Sequence, residues 1–124
     1  MISLPPHVRV HVALGYTNLR KGIDGLSVLV QETLRADPFS GHVFVFRGRK
    51  AGLIKLLYHD GNGMCLYAKR LDQGIFTWPV TQASPGEPAT VLLTPVRLSM
   101  LLEGLDWRAQ APARRRLMLT NDLL

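Results

Sequence analysis

Apolar and polar residues alternate with a period of two from His7 to Leu14 (HVRVHVAL). Val8, Val10 and Val12 fall on one side, Arg9 and His11 on the other, the pattern of a strand with one wet face. After a loop from Gly15 to Gly22 the period changes. Leu26, Leu29, Val30, Thr33 and Leu34 recur at i, i+3, i+4, i+7 and i+8, which predicts an amphipathic helix from Asp24 onward. Asp24 suits the N-terminal end of its dipole and Arg35 the C-terminal end, while Pro38 in DPFSG stops any continuation.

From His42 the apolar residues gather into short β-rich runs, HVFVF, LIKLLYH, MCLYAKR and GIFTWP, separated by RGRKAG, DGNG and LDQG. This predicts a meander of antiparallel hairpins, with DGNG as its sharpest turn because Asp-Gly and Asn-Gly supply positive φ angles. PVTQASPGEPAT is too rich in Pro, Ser and Gly for regular structure, and TVLLT reads as one more strand. Thr94 as N-cap and Pro95 at the first helical position then open a second helix. Leu98, Leu101, Leu102 and Leu105 form its apolar stripe, and Gly104 lies near its C-terminal end. The expected fold class is α+β: a mainly antiparallel sheet of about five or six short strands, a central meander among them, with two helices packed on one side. Residues 1–108 are expected to form a single domain and residues 109–124, with Arg114, Arg115 and Arg116, a basic C-terminal tail.

A chain of 124 residues, 47% hydrophobic and 19% charged, suits a folded module with its own core. No run reaches the about 18 apolar residues of a membrane span, and MISLPPHVRV has no secretory pattern, so a cytoplasmic protein without membrane contact is expected. Cys65 is the single cysteine, which excludes an internal disulfide and a cysteine-rich zinc site.

Charge changes the picture more. Fifteen Lys and Arg against nine Asp and Glu give a net charge of +6, a balance that points to a polyanion, nucleic acid first. The cations cluster. Arg47, Arg49 and Lys50 surround the first hairpin turn, Lys55 lies on the next strand, and Lys69 and Arg70 close the third. Because adjacent strands lie about 4.8 Å apart, several could share one sheet face or edge. Lys55 and Lys69 are expected to lie in step with His59 and Tyr67 on one cationic face. Charged hairpin ends also serve as solvated edges that resist aggregation.

In NLRKGIDGL, residues 18–26, Gly22 and Gly25 with Asp24 shape the helix entry, and there is no full phosphate-binding loop. A helix start requires no cation, so Arg20 and Lys21 are candidates for contact with phosphate or an acidic partner. No catalytic constellation emerges. Asp24, Asp37, Asp60 and Asp72 read as turn or capping residues. His7 and His11 are four apart on a strand-like run, where that spacing does not converge on a metal, and Ser27, Ser40 and Ser99 lie in no nucleophile elbow. The chain is expected to be non-catalytic, with no cofactor.

TNLRKGIDGLSVLVQ, DPFSGHVFVFRGRK, KLLYHDGNGMCLYAKRL, GIFTWP and LLEGLDWR, in that order and spacing, resemble the small accessory proteins, called TnpB, of the insertion-sequence-66 family of bacterial mobile elements. The likeness spans Leu14 to Arg108. It departs from the family's usual pattern at Gly52 and Leu53, where an acid and an Arg are usual, and at His59, where Trp is usual. The resemblance implies an accessory factor for transposition, encoded beside a separate large transposase that performs the strand chemistry. It also marks Arg20, Lys21, Asp24, Arg47, Arg49, Lys50, Lys69 and Arg70 as family positions. Together with Lys55, the Arg and Lys residues of that set are the candidate nucleic-acid-binding residues. Three roles follow: a DNA-binding accessory acting at the element ends, an adaptor docking on the partner transposase without touching DNA, and an RNA-binding regulator.

Overall fold

Val10, His11 and Val12 of β1 (Val10–Ala13) pair with Val43, Phe44 and Val45 of β2 (Val43–Arg47) in parallel, and α1 (Ile23–Glu32) is the crossover between them. A parallel pair cannot be joined by a tight hairpin, so the helix and its flanking loops carry the chain back to the start of the sheet. The computed structural model describes residues 4–79 and 90–110. β3 (Leu53–His59) and β4 (Met64–Arg70) complete an antiparallel meander from β2, and β5 (Thr90–Leu93) pairs antiparallel with β1 on its other side. The sheet therefore has five strands in the order β4-β3-β2-β1-β5. Then follow α2 (Pro95–Leu102) and a short 3₁₀ turn, Trp107–Gln110.

The two helices lie on opposite faces of the sheet, not on one. Leu26 and Val30 of α1 are fully buried against Ala13, Phe44, Phe46 and Leu57. Leu98, Leu101 and Leu102 of α2 pack with Val10, Val12, Val43, Val45, Ile54 and Leu56 on the other face. Fully burying a Leu or Val side chain contributes about 1.5–3 kcal/mol, so each helix holds its face with only two or three such residues. The face of β1 expected to be wet is covered as well, because Ala13 is buried under α1 and His11 stacks on Phe44. The strand-like run GIFTWP pairs with no strand. It crosses the α2 face as an extended segment that buries Phe76 and Trp78, held by the Phe76 N–H donating to the Ala51 carbonyl.

The helix ends follow the sequence signals closely for α2 and loosely for α1. Thr94 Oγ1 accepts from the Arg97 N–H at 3.1 Å, and Pro95 opens the helix. At the other end Gly104, with φ of +77°, lets the Gly104 N–H donate to the Leu101 carbonyl and the Leu105 N–H to the Met100 carbonyl, the double bond of a Schellman cap. Asp24 does lie in the first turn of α1. Arg35 lies beyond that helix at φ of +55°, not in its last turn. In the β3–β4 hairpin Gly61 takes φ of +113°, and Asp60 Oδ1 accepts from the Asn62 and Gly63 N–H groups. Most of PVTQASPGEPAT and the basic tail from residue 111 lie outside the described residues.

Candidate nucleic-acid interface

Because β1 and β2 run parallel, their carboxyl ends reach the same end of the sheet, and the antiparallel order of β3 and β4 brings Leu53 and Arg70 there too. Leu53 and Arg70 are register partners. The loop after β1 and the turn after β2 thus stand side by side, tied by the Thr17 N–H donating to the Arg47 carbonyl at 2.8 Å. Ligand sites of α/β folds collect at such carboxyl ends, where loops rather than sheet residues shape the surface. Between these segments lies a groove of about 1000 Å³.

The loop after β1 contributes Tyr16 to Arg20 to its lining, the turn after β2 contributes Arg49 and Lys50, and the end of β4 contributes Arg70. Asn18 shapes the first of these segments: its Oδ1 accepts from the Arg20 N–H at 3.0 Å, and its carbonyl from the Lys21 N–H. At Gly48 the two loop segments pack closely, since a Cβ there would approach the Leu19 side chain at 3.2 Å. The lining contains Arg20, Arg49, Lys50 and Arg70, all exposed, and no carboxylate. Among the described residues the ion pair is Arg108 with Asp106, neither of which lines the groove, and none of the four lining cations is in an ion pair with a described acid.

The lining residue Tyr16 belongs to an aromatic and cationic cluster beside the groove. The Arg47 guanidinium lies 4.9 Å from the Tyr16 ring centroid and 5.2 Å from that of Trp78, while Arg49 approaches Tyr16 at 5.6 Å. Trp78 is anchored from behind by its Nε1–H donating to the Ala51 carbonyl at 2.9 Å. A guanidinium between two aromatic faces is held in a fixed place without losing its charge. Tyr16 itself is 53% exposed.

The eight candidate cations therefore separate into groups. Arg20, Arg49, Lys50 and Arg70 share the groove, and Arg47 lies beside it. Lys21, next to Arg20 in sequence, leaves it: its aliphatic stem lies over Gly25 at the start of α1. Lys55 and Lys69 do not share a face, because the register pairs Lys55 with Ala68 and Lys69 with Ile54, and Ile54 belongs to the α2 core. A one-residue offset between antiparallel partners places their side chains on opposite faces, so the expected cationic face with His59 and Tyr67 does not exist. Each lysine instead serves backbone: Lys55 Nζ donates to the Lys21 carbonyl at 3.2 Å, and Lys69 Nζ to the Leu102 carbonyl at 2.6 Å. Tyr16 was not a candidate from sequence. An aromatic directly after Gly15 and four residues before Arg20 was the available signal.

At the opposite end of the β1–β2 pair, the Arg9 N–H donates to His42 Nδ1 at 3.0 Å, and His42 lies 6.0 Å from His11. Burial against Phe44, then the neighbouring His42 and Arg9, push the His11 pKa below its usual 6.5. Asp60 is held below the usual carboxylate range, chiefly by the Asn62 backbone N–H, which fits its part in the hairpin turn. Among the described residues no group of three or more His, Cys, Asp or Glu is placed to hold a metal ion.

The described residues thus form an α+β module, one helix on each face of its sheet, with a basic groove at one end of that sheet and no carboxylate in the groove lining. The family model for the IS66 Orf2 like protein matches residues 8–112, and the chain belongs to that family. Two proteins of Sinorhizobium fredii (strain NBRC 101917 / NGR234) are similar to it. Uncharacterized protein y4hO is 44% identical over 108 residues, covering 87% of this chain and 90% of its own. Uncharacterized protein y4jC is 36% identical over 107 residues, covering 86% and 87% respectively. No solved structure matches. The family implies an accessory role in transposition, in association with the transposition machinery, and is generally non-catalytic. No helix among the described residues is long and apolar enough to cross a membrane.

Proposed function

We propose that this protein is a non-catalytic accessory of transposition that contacts the DNA of its element through the groove at the carboxyl ends of β1 and β2, working beside the element's transposase in the cytoplasm. The observation that carries the reading is the set of Arg20, Arg49, Lys50 and Arg70 around one groove with no carboxylate in its lining. Such a set attracts phosphate and gains affinity by releasing counterions from the polymer. Arg47, fixed between Tyr16 and Trp78, supports the same reading by keeping a further charge beside the groove. Phosphate contacts hold a protein on DNA without reading bases, so the groove supplies affinity and position while the transposase chooses the site. Residues 109–124, the basic tail, add a second sequence-independent anchor in this account.

The test is direct titration of the purified chain with DNA of an element end, as single strand and as duplex, across a range of salt concentrations. Affinity that falls steeply with salt on either form supports the reading. Absence of binding to both at low salt, together with co-purification with the transposase, favours the adaptor role instead.

A further inference from the structure

A groove that meets only phosphates can use the Tyr16 hydroxyl but not the face of its ring. A phosphate ridge needs cations and N–H or O–H donors, and the faces of bases in a duplex are covered by their neighbours. Here a half-exposed ring lines the groove alongside its cations, with Arg47 and Arg49 over it at 4.9 and 5.6 Å. A cationic track next to an accessible aromatic is how proteins hold unpaired strands: the track follows the backbone and the ring stacks a base, whatever its identity. Arg adds its own planar face to that stack.

We propose that the groove takes a single DNA strand in preference to duplex, with one unpaired base stacked at Tyr16 and the adjoining phosphates on Arg20, Arg49, Lys50 and Arg70. This rests on the reading of the groove as the DNA-contacting surface and specifies the form of DNA it holds. Asn18 places Arg20 on the segment that also carries Tyr16, so the base and the next phosphate meet side chains four residues apart on one loop. The anchored Trp78 fixes Arg47 from the rear and thereby fixes the Tyr16 ring.

The experiment compares binding of the full chain to a short labelled mixed-sequence single strand, to its duplex and to the same sequence as RNA, at one salt concentration. The wild-type chain is expected to favour the single DNA strand about fivefold or more over duplex, and Tyr16→Ala to lose about 5- to 150-fold on the single strand and clearly less on duplex, where only the bracing of Arg47 is lost. Tyr16→Phe, which keeps the ring and loses the hydroxyl, retains the preference. Should Tyr16→Ala fail to fold, Tyr16→Leu keeps apolar cover over Arg47 without an aromatic face and takes its place. Equal affinity for strand and duplex, or equal weakening of both by Tyr16→Ala, overturns the single-strand proposal and leaves the DNA-contacting groove standing. Tighter binding to the RNA strand overturns the choice of DNA. No binding to any of the three overturns both this proposal and the reading beneath it.

Discussion

Lys69 Nζ donates to the Leu102 carbonyl at 2.6 Å, across 33 residues of sequence. The last carbonyls of a helix lack intrahelical partners and carry the negative end of its dipole. The Schellman cap at Gly104 engages Met100 and Leu101, and Lys69 takes Leu102, so this cation fastens α2 to β4. Lys69→Met is expected to lower stability by about 1 kcal/mol in denaturant unfolding while leaving DNA affinity unchanged.

Arg20 and Lys21 give different outcomes although they are neighbours. Arg20 lines the groove and Lys21 lies over Gly25, outside it. Arg20→Ala should weaken DNA binding about equally across sequences and reduce the log-log salt slope by about 0.7–0.9. Lys21→Ala should leave both quantities as they are. Paired titrations of the two variants check this, and equal effects would mean that the loop is read as a doublet after all.

His11 makes stability depend on pH. Its folded pKa lies below the unfolded value of 6.5, so between the two the unfolded chain binds more protons. The contribution is whole above 6.5 and is lost as pH falls through the folded value. Thermal unfolding midpoints of the wild-type chain should therefore decline as pH drops below 6.5. His11→Phe, which keeps a ring on Phe44 and removes the titration, should decline less.

The sequence made the elements legible and left their arrangement in space open. Period-two patterns and short apolar runs placed all five strands of the sheet within three residues of their ends, and the Thr94-Pro95 start and Gly104 stop of α2 were written in capping chemistry. The meander was legible because DGNG closes its sharpest turn. What the pattern could not carry was sidedness. Leu26 and Leu98 are equally good core residues, and nothing local says that one belongs to each face of the sheet. The further strand-like run, GIFTWP, does not join the sheet, because Phe76 and Trp78 are buried by crossing the core rather than by pairing; burial of large aromatics does not require a ladder.

The candidate site was half legible for a related reason. Clusters in sequence marked Arg47, Arg49 and Lys50, which surround one turn, and Arg20, which shares a loop with Tyr16. Arg70 joins them through the Leu53–Arg70 register, a long-range pairing. Lys55 and Lys69 have the same composition as the groove cations but are spent on carbonyls, a distinction visible only once the strand register is known.

The salt dependence of binding by the Arg49→Ala, Lys50→Ala, Arg70→Ala triple variant tests the central claim most directly. These three residues line the groove, are exposed and have no carboxylate in the groove lining, so the fold should survive their loss, with stability changed by less than about 0.5 kcal/mol per site. If the groove holds the phosphates, the log-log salt slope on DNA becomes shallower by about 2 to 3, three charges at roughly 0.7 each on a single strand or 0.9 each on duplex. A folded triple variant that binds DNA with the wild-type slope would contradict the account.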